Sequence, residues 1–159
     1  MNELHFFCRG LPQTQGNKTG FAIKKFGQYT GEVAMVEGRR PKSRAAFESW
    51  RLSVCIDSRN ERVRTGWQTA DEPVEVTMVF YLPKPKNPEW PVPATGLDLD
   101  KLIRAVFDGM KEGGIYVNDS RVVSLPNSPR KLYEDEDHPP GVYVTVRKGL
   151  YERCKKKRK

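Results

Sequence analysis

Residues 74–81 read VEVTMVFY, with Val74, Val76, Met78 and Phe80 set against Glu75, Thr77, Val79 and Tyr81. A period of two puts each set on one face of a strand, and the first set is wholly apolar. Shorter strands are predicted at LHFFCRGLP near the N-terminus and at VYVTV, residues 142–146. Elsewhere the period changes to that of a helix. Over residues 42–57, Ala46, Phe47, Trp50 and Val54 recur at helical spacing, with Ser43 as a candidate N-cap. From Leu99, the apolar positions Leu102, Ile103, Val106, Phe107 and Met110 follow the i, i+3, i+4, i+7 rule, and Gly113-Gly114 stops the run.

The intervening segments read as loops. QTQGNKTGFAIKKFG is rich in Gly, Gln and Lys, and YEDEDHPPG is acidic. Pro83, Pro85, Pro88, Pro91 and Pro93 make an extended loop that carries Lys84, Lys86 and Trp90. Trp90 offers a ring for stacking on an unpaired base, or for packing on the core or a dimer partner. IYVNDSRVVSL is strand material interrupted at Asn118-Asp119. The element order β, α, β, α, β, β predicts an α+β (α/β-like) fold, a single domain with a mixed β-sheet and two main helices. The domain is expected over residues 1–147. Residues 148–159, ending in KKKRK, are expected to be a disordered basic tail that adds nonspecific DNA affinity.

Composition narrows the function. The 28 Lys and Arg against 20 Asp and Glu leave a net charge of +8, which favours a polyanionic partner such as nucleic acid or an anionic membrane surface. No apolar run is long enough to span a bilayer, and the N-terminus lacks a signal-peptide layout, so a cytoplasmic protein is expected. Cys8, Cys55 and Cys154 are scattered and form no CxxC, and His5 and His138 are remote from each other. That spacing argues against a disulfide framework, a zinc site or a nucleophilic triad.

The segment GLDLDKLIRAVFDGM raises a chemical question. One aspartate before a helix is an ordinary cap that also complements the helix dipole. Asp98 and Asp100, separated only by Leu99, project from the same side of an extended segment and repel each other. A cation relieves that repulsion, and Mg²⁺ or Mn²⁺ suits oxygen ligands of this kind. Capping and metal binding both remain open from spacing alone. Arg104 lies one turn after Asp100, where it can serve the same helix end or simply pair with Asp100 or Asp108. Asp119 breaks two apolar stretches, a place that turn residues also favour.

LDLDKLIRAVFDGMKEGGIYVNDSRVV, residues 97–123, resembles the signature of the RusA-type Holliday-junction resolvases. The resemblance extends more loosely to the early LP, the middle helix, the strand before the proline loop and the PGVYVTV strand. It implies an acidic triad of Asp98, Asp100 and Asp119 that binds Mg²⁺ (or Mn²⁺), with Arg104 as the basic catalytic residue. Arg104 stands where the family usually has lysine, Lys101 where many members have asparagine, and Asn118 where many have aspartate.

The resemblance further implies a homodimer that nicks two strands of a four-way DNA junction symmetrically, with no small-molecule cofactor and no membrane partner, in a bacterial or phage setting. Lys24, Lys25, Arg39, Arg40, Lys42, Arg44, Lys84, Lys86 and Lys101 are the candidates for DNA contacts. Two alternatives keep the fold and differ in chemistry. One is a non-catalytic nucleic-acid-binding module, and the other a metal-dependent nuclease for flaps or other branched DNA.

Overall fold

The chain was analysed as a computed structural model, which describes residues 2–16, 18–37 and 41–154. Arg39, Arg40 and the KKKRK segment lie outside the described residues. The elements are β1 (Glu3–Arg9), β2 (Lys18–Lys25), β3 (Gln28–Glu37), α1 (Pro41–Thr65), β4 (Val74–Leu82), α2 (Leu99–Glu112), a 3-10 turn (Asp119–Arg121), β5 (Val122–Ser124), β6 (Arg130–Tyr133) and β7 (Gly141–Arg147). β1, β7 and β4 run side by side and antiparallel. β4 then pairs in parallel with β5 near its start and with β6 at its end, so the sheet is mixed. The expected single α+β domain with two helices is the fold observed.

The period-two strands behave as their patterns require. Leu4, Phe6 and Cys8 of β1, Val74, Val76, Met78 and Phe80 of β4, and Val142, Val144 and Val146 of β7 are all buried. The helices complete that core with Phe47, Trp50 and Val54 of α1 and Leu102, Ala105, Val106 and Met110 of α2. Ile103 and Phe107 pack at its margin, as their position on the edge of the apolar stripe dictates. The opposite sheet face carries a half-exposed aromatic group, in which Phe7 packs on Tyr143 and His138 stacks on Tyr81.

Several sequence expectations are corrected. The segment after β1 is not all loop but forms the β2–β3 hairpin, closed by the two-residue turn Phe26-Gly27 with φ of 50° and 79°. Both central residues of such a turn need positive φ, a demand usually signalled by Asn-Gly and masked here by phenylalanine. α1 begins at Pro41, which leaves Ser43 inside the helix rather than at its cap, and Ala46 is exposed. It also runs past residue 57 to Thr65. That polar extension is supported by the Glu61–Arg64 pair at 2.6 Å and ends at Gly66, φ 69°. IYV is not a strand: Tyr116 makes only an isolated bridge to Ala70. The unassigned residues before the acidic loop supply β6.

α2 owes its position to two small residues. A Cβ on Gly109 would lie 2.8 Å from the Cβ of Val54 and 3.0 Å from the carbonyl oxygen of Arg51, both on α1. A Cβ on Gly113 would overlap Ser58 Oγ and lie 2.9 Å from the Cys55 carbonyl oxygen. Gly113 therefore serves close helix packing with φ of −71°, while Gly114, at φ 79°, makes the left-handed exit. Gly109→Ala gains about 1 kcal/mol of helix propensity but overpacks a wall containing backbone, which costs typically 1–3 kcal/mol. A net loss of about 1 kcal/mol is expected in denaturant unfolding. It should shrink in the Gly109→Ala/Val54→Ala background, because the added methyl then fills the space left by valine.

Candidate active site

The N-terminus of α2 shows how the paired aspartates are placed. Asp98 occupies the N-cap position with extended backbone (φ −72°, ψ 130°), yet its side chain makes no capping hydrogen bond. Its Oδ2 instead holds the ammonium of Lys101 at 2.7 Å. That hydrogen bond and the adjacent positive charge keep the Asp98 carboxyl below its ordinary range and raise Lys101. Asp100, in the first turn, is exposed on the same helix end.

One turn on, Arg104 is exposed and makes no ion pair among the described residues, so neither the Asp100 nor the Asp108 pairing is formed. Lys131 of β6 donates from Nζ to the Leu97 carbonyl oxygen at 2.7 Å, which ties the segment before Asp98 to the sheet.

Asp119 opens the 3-10 turn that follows Tyr116. Asn118 Oδ1 accepts from the backbone N–H of Ser120 at 2.9 Å and so fixes the turn. Asp119 is exposed and lies within electrostatic range of Asp108 and Tyr116. Tyr116 is 1% exposed and donates its hydroxyl to the Phe107 carbonyl oxygen at 3.0 Å. Burial, and then the charges of Asp119 and Asp108, push its phenol well above the ordinary range.

Sequence reasoning named Asp108 only as an ion-pair partner for Arg104 and missed Gln15. Asp108 lies two turns beyond Asp100 and accepts from Gln15 Nε2 at 3.0 Å, while the backbone N–H of Gln15 donates to the Lys101 carbonyl oxygen at 3.1 Å. Gln15 thus fastens the approach to the hairpin onto the site helix. The spacing 100, 104, 108 was the available signal for Asp108; nothing local marks Gln15.

The carboxylates are hard oxygen donors of the type Mg²⁺ takes. The ammonium on Asp98 shows that this carboxylate already supports a positive charge. Among the described residues, no group of three His, Cys, Asp or Glu side chains is gathered closely enough to hold an ion. Asp98 and Asp100 are held at one end of α2, and Asp119 is held beside Asp108.

Apart from Lys101, the described basic candidates lie on other elements. Lys24 and Lys25 are exposed at the end of β2, Lys42 and Arg44 in the first turn of α1, and Lys84 and Lys86 in the proline loop. Arg44 lies 3.7 Å from Glu48, and Lys101 is engaged by Asp98. Trp90 is 53% exposed and so is not part of the core.

The family model for the RusA endodeoxyribonucleases matches residues 37–147, more than half of the 159 residues. The chain belongs to the RusA family. Membership makes it an endodeoxyribonuclease of the class that resolves Holliday junctions in recombination, with branched DNA as the implied substrate. No curated protein matches the chain. No helix among the described residues is long and apolar enough to cross a membrane.

Asp108 gives the site a measurable pH signature. Burial, then the charge of Asp119, raises its carboxyl above the ordinary range. A folded-state acid raised in this way binds its proton more tightly than the unfolded chain does, so its contribution to stability is lost as pH rises through that range. Asp108→Asn keeps an oxygen for Gln15 and removes the charge. The variant should melt above the parent at about pH 7 and lose that advantage toward about pH 3, in thermal melts across the series.

Proposed function

We propose that this RusA-family chain is a Mg²⁺-dependent resolvase that acts as a homodimer in the cytoplasm, cutting a four-way junction by paired symmetric nicks. One observation supports the metal reading above the others: Asp98 stands at the N-cap of α2 without capping it, and its carboxylate is occupied by a cation. The resemblance assigns the ion to Asp98, Asp100 and Asp119, which are not gathered into one ligand group among the described residues. When bound, Mg²⁺ supplies charge neutralisation at the phosphodiester and a more acidic water.

The chain's own groups then divide the remaining work. Arg104, exposed and without an ion pair among the described residues, presents a planar five-donor fork suited to a phosphate oxygen of the scissile group. Lys24, Lys25, Lys42, Arg44, Lys84 and Lys86 supply sequence-independent backbone contacts, and the +8 charge steers the polyanion to them. α1 has no acidic residue in its first turn, where Lys42 and Arg44 oppose the helix dipole. Arg44 faces Glu48 one turn on at 3.7 Å, and the two cations make this helix start suited to an anion such as a backbone phosphate. Paired nicks on a two-fold junction call for two equivalent sites, which a symmetric dimer provides.

The decisive experiment is cleavage of a labelled mobile four-way junction beside duplex and flap controls, with Mg²⁺ and with EDTA. Paired nicks confined to the junction and abolished by EDTA are expected. Binding without cutting under any divalent ion would reduce the chain to a DNA-binding module. Equal cutting of flaps would broaden the substrate. Asp100→Asn should lower the cleavage rate by about 100-fold or more, since even groups that merely orient a metal ligand cost up to about 100-fold. Junction affinity should stay within a few-fold, because the basic surface carries it. Full activity in that variant would remove Asp100 from the site.

A further inference from the structure

β4 and β6 are parallel and end together, with Leu82 paired to Tyr133 and the Glu134 N–H donating to the Leu82 carbonyl oxygen at 2.8 Å. Their carboxyl ends open into a cleft of about 390 Å³. Leu11, Pro12, Leu82, Pro93, Leu97 and Tyr133 make its apolar walls. The wall formed by Gly96 and Leu97 runs directly into Asp98, and Lys131 clamps the Leu97 carbonyl oxygen at 2.7 Å. Ligands of open sheets bind outside the carboxyl ends of parallel strands, and this volume lies in the ordinary range for a small ring-system ligand.

The chemistry of the walls and rim identifies the occupant. The walls offer prolines and a tyrosine ring, flat surfaces suited to a planar aromatic guest. Two polar groups reach the cleft, Thr95 and Gln13, the latter holding the Leu11 carbonyl oxygen through Nε2 at 3.3 Å. Pro83 and Pro85 belong to the lining, and the residues that alternate with them, Lys84 and Lys86, are exposed. An apolar slot with lysines outside it and carboxylates at its end matches a nucleotide, base inward and phosphates outward.

We propose that this cleft receives one unstacked nucleobase of the DNA substrate, from a nucleotide flanking the scissile phosphate, packed on Tyr133 with its edge facing Gln13 and Thr95. The proposal rests on the nuclease reading and deepens it. Extruding a base is least costly where strands are already unpaired, so such a cleft favours a branch point over continuous duplex. It also makes the choice of cut position depend on which base can enter.

The test couples a side chain to a base. Junctions carrying a single abasic residue at successive positions around the cut are bound, without divalent metal, to the parent protein and to Tyr133→Ala. Tyr133→Ala should weaken binding to the intact junction about tenfold, the scale of one base–aromatic stack. One abasic position should weaken the parent similarly and cost the variant nothing further. Tyr133→Phe, which keeps the ring, should restore the coupling. Gln13→Ala, outside the strands, should change which of the four bases is preferred at that position.

Losses that multiply at every position, together with an unchanged base preference in Gln13→Ala, would overturn the cleft assignment while leaving the resolvase reading intact. The same coupling on single-stranded DNA without junction binding would support the cleft and overturn the junction reading. A parent chain that binds neither DNA would overturn both.

Discussion

At two positions one turn apart on α2, Gly109 and Gly113, there is no room for a methyl group against α1. Because Val54 and the carbonyl groups of Arg51 and Cys55 form the opposing wall, the helix can neither rotate nor slide without opening a gap beneath Leu102, Val106 and Met110. A 14-residue helix is a rod of about 21 Å, so fixing its middle fixes both ends. One end carries Asp98, Asp100 and Arg104. The other leads through Gly114 and Ile115, whose carbonyl oxygen accepts from Trp67 Nε1 at 2.9 Å, to Tyr116 and the turn that holds Asp119. Residues remote from the proposed site therefore decide where its side chains sit.

The proline loop reaches α2 under a second constraint. β6, inserted in parallel beside the last turn of β4, supplies Lys131 to the Leu97 carbonyl oxygen and Tyr133 to the cleft wall. That strand gives the segment before Asp98 a hydrogen bond to the sheet, beside the packing of Leu97 on the core. Gln15 makes the matching attachment from the other side, joining the chain before the hairpin to both Lys101 and Asp108. The site helix is thus pinned at its N-terminal half by two segments that are far from it in sequence.

The sequence announced what was periodic and local. The strand over residues 74–82, the apolar stripe of α2 and the strand over 141–147 were legible because burial imposes periods of 2 and 3.6 on residue choice. The DLD segment was legible as two carboxylates at a helix start, with capping and metal binding both open, and Asp98 forms no side-chain cap. What escaped had either an unusual turn residue or no local reason at all. Phe26 hides the hairpin turn, the polar end of α1 lacks a stripe, and β6 is four residues whose pairing lies fifty positions away. Gln15 and Lys131 act through backbone carbonyl groups, which no residue pattern encodes. Gly109 and Gly113 were visible as glycines, but their reason, the approach of a second helix, exists only in the folded chain.

The two cations at the start of α2 are used differently, and their shapes explain why. Lys101 is a point charge on a flexible stem, and it folds back onto Asp98 at 2.7 Å. Arg104 carries its charge on a rigid plane and, among the described residues, makes no ion pair. Lys101 therefore neutralises the Asp98 carboxylate, which lessens its repulsion from Asp100. Arg104 keeps its fork exposed, as the proposed phosphate contact requires. The same helix end thus carries one cation closed on a carboxylate and one that faces solvent.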